Sequence, residues 1–108
     1  MYYVNLDDVM KEQGARRSYQ LLGEEHGCVN GCKCGVTIYD ETEYLKSGVH
    51  EDQEGFLVLS GHGMAKVAEE EFPIKEGTSF IAPAGCFHVA KRDPDSEPLK
   101  IFWFHSAI

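Results

Sequence analysis

The 108-residue sequence has no apolar run approaching the roughly 20 residues that span a bilayer, so no membrane-spanning helix is expected. Positive charge is scarce. Ten Lys and Arg stand against eighteen Asp and Glu, a formal net charge of −8. Nucleic acid and anionic lipid surfaces both need clustered cations, so neither is an expected partner. The opening stretch MYYVNLDDVMKEQG lacks the basic-then-apolar pattern of a secretory leader, and the expected compartment is the cytoplasm. Cys28, Cys32, Cys34 and Cys86 are the four cysteines, expected there as free thiols. Helical patterning is nearly absent too. Only NLDDVMKEQG carries it, with Asn5 as cap, Asp7 and Asp8 near the positive end and Gly14 as stop.

After that segment come short strand candidates: RSYQLLG, CKCGVTIYD, GFLVLSG, GMAKVAE, EEFPIKEG, TSFIAPAG, FHVAKR and LKIFWFHS. Gly, Pro, Asp and Asn punctuate them, which predicts an all-β sandwich or barrel in a single domain. AEEEF (68–72) reads as a charged hairpin turn and RDPDSEP as a polar turn. Strand alternation then assigns faces. In LKIFWFHS, Lys100 shares its face with Phe102, Phe104 and Ser106, so Leu99, Ile101, Trp103 and His105 are expected to point inward. In CKCGVTIYD, Cys32, Cys34, Val36 and Ile38 lie opposite Lys33 and Thr37, which predicts inward thiols.

The residues with ligand chemistry are His50, Glu54 and His88. Imidazole and carboxylate suit a divalent first-row metal: iron, manganese, nickel, zinc or copper. His50 and Glu54 are close enough to share one face across a turn, and the Gly77, Pro83 and Gly85 pattern presents His88 at the start of a strand. The cluster His26, Cys28, Cys32 and Cys34 lacks the two separated hooks of a structural zinc site, so packing is its expected role. His26 and His62 are expected at the surface; Glu51 and Asp52 could bind a metal, but a solvated acidic loop is the simpler expectation.

At these residues the sequence resembles the cupin superfamily, specifically the small cupins with a conserved β-barrel. The pattern G-x5-P-x-G-x2-H-x3-N falls on Gly77, Pro83, Gly85 and His88, with Arg92 in place of the asparagine. The pattern G-x5-H-x-H-x3-E-x6-G falls on His50, Glu54 and Gly61, with Thr42 and Gly48 in place of its first glycine and first histidine. The likeness covers roughly residues 30 to 105. It implies a double-sheet jelly-roll barrel over 30–108, with a helix and first strand over 1–29 packed on it. It also implies a metal in the barrel mouth, held here by His50, Glu54 and His88. Gly48 either leaves coordination positions open for a substrate or marks a site that has lost its metal.

His105 could serve as a further ligand, as a partner orienting a ligand, or as the acid/base group; the last is favoured as the catalytic role. Cys34, Phe56, Arg92 and Trp103 are the candidate pocket residues, with Tyr39 beside them. An inward Arg92 would favour an anionic substrate; a surface Arg92 would pair with Asp93 or Asp95. The expected function is a small-molecule metalloenzyme of oxygenase, isomerase or lyase type. The alternative is a non-catalytic cupin module, a sensor or accessory protein. The apolar excess on GFLVLSG and KIFWF, with Phe102 and Phe104 outward, predicts a homodimer.

Overall fold

Helix α1 (Leu6–Gln13) begins where its cap requires. In the computed structural model, which describes residues 1–46, 49 and 51–108, the Asn5 side chain accepts the backbone N–H groups of Asp7 and Asp8 at 2.9 and 3.4 Å. The strand candidates all form strands: β1 (Ser18–Leu22), β2 (Lys33–Tyr39), β3 (Glu54–Ser60), β4 (His62–Val67), β5 (Glu70–Lys75), β6 (Ser79–Ala82), β7 (His88–Arg92) and β8 (Leu99–His105). A short 3-10 turn, Glu24–His26, follows β1. The pairings are antiparallel, in a five-stranded sheet ordered β1-β2-β8-β3-β6 and a three-stranded sheet ordered β5-β4-β7. This is the double-sheet jelly roll. No helix among the described residues is long and apolar enough to cross a membrane.

The facing sides of the two sheets enclose a core of Phe56, Val58, Ala65, Ile74, Leu99, Ile101 and Trp103. Burying a side chain such as Leu99 or Ile101, both essentially inaccessible, stabilises the fold by about 1.5–3 kcal/mol. The inward set of β8 is Leu99, Ile101, Trp103 and His105, as alternation predicts, and all four are buried. Across the sheet, Trp103 stands opposite Gly35 on one side and Phe56 on the other. A Cβ at Gly35 would lie 2.4 Å from the indole Cζ2 and 2.3 Å from the Tyr19 carbonyl oxygen, so only glycine lets the indole settle there.

Strand β2 corrects one expectation. Gly35 and Thr37 pair with Trp103 and Ile101 and therefore share the inner face, while Cys34 and Val36 pair with Phe104 and Phe102 on the outer face. The Cys34 thiol does not look into the barrel. Val36 is nonetheless buried, because Tyr19 beside it and the N-terminal segment cover that outer face. The Tyr19 hydroxyl ties the segment down, donating to the Gly14 carbonyl at 2.7 Å and accepting from the Arg16 N–H at 2.8 Å. Elsewhere on the outer face Leu57, Ile81 and Phe104 remain 40–48% exposed.

Candidate metal centre

Three strands bring three side chains together inside the barrel mouth. Glu54 opens β3 and His105 closes β8, and the antiparallel register sets them directly opposite each other. His88 opens β7, delivered by a turn in which the Cys86 N–H bonds the Pro83 carbonyl at 3.0 Å. Gly85, with φ of +77°, occupies the third position of that turn, where a type II geometry demands a positive φ.

The Glu54 carboxylate is the common point. Its Oε1 lies 3.4 Å from His88 Nε2 and 3.5 Å from His105 Nε2. Glu54 and His105 are both buried, and the His88 side chain is 16% exposed. Those separations exceed the usual N–H···O hydrogen bond of about 2.7–3.2 Å. Taken singly, each is the separation that two neighbouring ligands of one ion would have, since metal–ligand distances of about 2.0–2.2 Å at tetrahedral angles put ligand atoms about 3.3–3.6 Å apart. The donor set, two imidazoles and a carboxylate, therefore fits a divalent transition metal. His50 and Gly48 lie outside the described residues.

Asp52 completes the arrangement, and here the expectation of a solvated acidic loop fails. Its Oδ2 lies 2.6 Å from His105 Nδ1, and its side chain is only 19% exposed. A carboxylate on the far nitrogen fixes the ring and its tautomer, leaving Nε2 directed at Glu54. The signal was present in the sequence. Asp52, Glu54, Phe56 and Val58 form one period-2 series, and its last three members are buried inward.

Phe56 and Trp103 back the site. The Phe56 ring stacks on Phe80 at 4.6 Å and meets the His88 ring at 5.3 Å, while Trp103 sits edge-on to His105 at 5.6 Å. Tyr39 points inward among the core residues. Burial, reinforced by the Glu54 charge and opposed by Arg17, pushes its phenol up to about 12. It is a neutral donor at neutral pH.

Two other candidates are not brought to the site. Cys34 faces outward against Tyr3, Leu22 and Phe102, and burial pushes its thiol pKa up. Arg92 shares the parity of His88 but lies four residues further along β7, about 13 Å at the strand rise. Its guanidinium donates to the carbonyls of Asp40, Asp93, Pro94 and Ser96, fastening two loops at the opposite end. It pairs with the Asp40 carboxylate at 3.5 Å rather than with Asp93 or Asp95. His62 approaches both those aspartates, with Nδ1 2.7 Å from Asp93 and Nε2 3.9 Å from Asp95. His26 is not exposed as expected; its side chain is 12% accessible, and Nδ1 accepts the Gly23 N–H at 3.3 Å. All four cysteines are free.

Comparison with known proteins agrees with this architecture. The family described as Cupin domain matches residues 35–105, and the chain belongs to that family. No curated protein matches the chain in sequence. Among solved structures, a conserved protein of unknown function from Streptococcus pyogenes superposes with a TM-score of 0.71 at 18% identity, over 100% of this chain and 96% of its own. The Cnp3 cupin domain of Schizosaccharomyces pombe gives 0.74 at 18% identity, over 96% of this chain and 68% of that one. Hydroxypropylphosphonic acid epoxidase from S. wedmorenis, in complex with fosfomycin, gives 0.69 at 14% identity, over 82% of this chain and half of the enzyme. At these identities the likeness is one of fold.

Proposed function

We propose that the protein is a metal-dependent cupin enzyme acting on a small organic molecule, with one divalent transition metal in the barrel mouth. Glu54, His88 and His105 are the described ligands, and His50 joins them on the strength of the sequence pattern. The observation that carries this reading is the pair of imidazole nitrogens 3.4 and 3.5 Å from one carboxylate oxygen, with Asp52 gripping the far side of His105. With Nδ1 held by Asp52 and Nε2 turned to Glu54, His105 serves as a ligand rather than as the free acid/base group. A bound metal would supply Lewis-acid or redox chemistry. The chain's own residues orient the ligands, and Phe56 and Trp103 exclude water behind them. Tyr39 offers a phenolic proton near Glu54. Oxygenase, isomerase and lyase chemistries all fit such a centre.

Metal analysis of purified protein tests the reading. About one equivalent of metal is expected, lost in Glu54→Gln and in His88→Ala. Unchanged metal content in the double variant sinks the proposal. A non-catalytic sensor or accessory module is the second reading. It is favoured by the engagement of both His105 nitrogens, and turnover of a bound small molecule distinguishes the two. We further propose a cytoplasmic homodimer, supported by the apolar outer-face residues Leu57, Ile81 and Phe104. Ile81→Lys is expected to halve the mass seen in sedimentation. A monomeric wild-type protein refutes the dimer.

A further inference from the structure

We propose that the cavity beside His88 is a subsite for a small monoanionic carboxylate, held by Arg17 and Lys46. The cavity measures about 130 Å3 and is lined by these two cations together with Tyr39, Leu45 and His88. Positive charge is the scarce component of this chain, ten residues against eighteen acids, yet two of the ten line this one small space. Arg17 is already oriented. Its guanidinium lies 4.9 Å from the centre of the Tyr39 ring, and one of its nitrogens pairs with Glu41. Lys46 makes no ion pair among the described residues.

The charge balance selects the ligand. Arg17 and Lys46 bring two positive charges to the lining and Glu41 returns one negative; Glu54 lies behind His88, on the side of the proposed metal that would offset its charge, so one charge on the lining itself is left for a ligand to neutralise. That suits a carboxylate better than a phosphate dianion. Size narrows it further. A closed protein cavity of about 150 Å3 accepts benzene, so this space, which is half open to solvent, holds about six non-hydrogen atoms of its ligand inside. Tyr39 and Leu45 give its short carbon chain an apolar wall. The other opening near the centre works against an anion, because Glu24, Glu25 and Asp52 outnumber Lys33 in a groove of about 330 Å3. An anion is therefore directed to the His88 side. The metal-centre reading supplies what the bound carboxylate faces, but recognition by the two cations does not require the metal.

The test titrates the full 15N-labelled chain, metal-free and zinc-loaded, with propionate and with its neutral isostere propionamide, following the Val89 and Ala90 amides. Propionate is expected to bind at least about tenfold more tightly than propionamide in both states. Lys46→Gln should weaken propionate binding about threefold and Arg17→Gln about tenfold, with propionamide affinity and zinc content unchanged. Arg17 also packs on Tyr39, so Arg17→Lys, which keeps the charge, should recover most of the loss. Equal affinities for propionate and propionamide overturn the proposal, as does tighter binding of inorganic phosphate. Failure to bind zinc with the propionate preference intact refutes the metal centre and supports the subsite. Zinc binding without that preference refutes the subsite and spares the metal centre.

Discussion

Asp52→Asn is the substitution that isolates orientation from coordination. The variant keeps the size of the side chain and a carbonyl oxygen that can still accept from His105, but it removes the negative charge now 2.6 Å from Nδ1. Both partners are largely sheltered, at 19% and 7% side-chain exposure, so solvent does not replace the lost interaction cheaply. Removing a carboxylate behind a ligating imidazole typically lowers metal affinity by about 10–100-fold, equivalent to about 1.4–2.7 kcal/mol. Glu54→Gln, which alters the common point itself, should cost more. The assay is competition for zinc against a chromophoric chelator at fixed pH, with the exposed neighbour Glu51→Gln as the control that removes an equal charge from the same loop. Wild-type affinity in Asp52→Asn, beside a clear loss in Glu54→Gln, would refute the orienting role. An equal loss in Glu51→Gln would reduce the effect to general loop charge.

Tyr39 gives a pH-dependent test. Its phenol ionises at about 12 in the fold against 10 for an unperturbed tyrosine, so the folded chain holds the proton more tightly than the unfolded one. The stability this contributes is complete below pH 10 and is lost as pH rises from about 10 to about 12. Ultraviolet titration of wild type against Tyr39→Phe should show the missing transition near pH 12; a difference centred near pH 10 contradicts the burial argument. Arg92→Met should lower stability by about 2 kcal/mol, since four loop carbonyls lose a charged donor. Metal content should be unchanged, and loss of metal in that variant would return Arg92 to the site.

Most of the fold was legible because the strands are short, alternating and separated by residues that stop them. Strand β8 was read correctly, since one lysine on an otherwise apolar strand marks the outer face and leaves Leu99, Ile101, Trp103 and His105 facing the core. The same reasoning failed on β2. There the outer face is also covered, by Tyr19 and the N-terminal segment, so apolar character at Val36 no longer distinguishes inside from outside. The inner face meanwhile carries Thr37 where it is still open to solvent, its hydroxyl in an exposed 3.0 Å hydrogen bond with Ser18 Oγ across the strand pair, so a polar residue is tolerated there. A covering segment joined by tertiary contacts leaves no trace in the alternation of the strand it covers.

The site divides along the same line between local and long-range information. His88 could be placed because the turn before it, with Pro83 and Gly85, is readable in the chain, and Glu54 because it opens an apolar strand. The role of His105 depends on the β3–β8 register, which places it opposite Glu54 across more than fifty positions of sequence. Alternation gives the face of His105 but not its partner, which is why the acid/base role is the one favoured from the sequence; the register sets its Nε2 beside Glu54, and that position supports the proposed ligand role. Asp52 depends on that register twice over, since an aspartate two residues before an inward glutamate acquires a purpose only once a histidine stands across from it. Arg92 shows the converse. It has the parity of His88, but four residues of strand rise carry it to the opposite end of the barrel, where carbonyls rather than an anion receive its guanidinium. A face is a direction and a site is a place; the positive charge expected near His88 comes instead from Arg17 and Lys46, on segments whose approach to β7 no spacing in the sequence encodes.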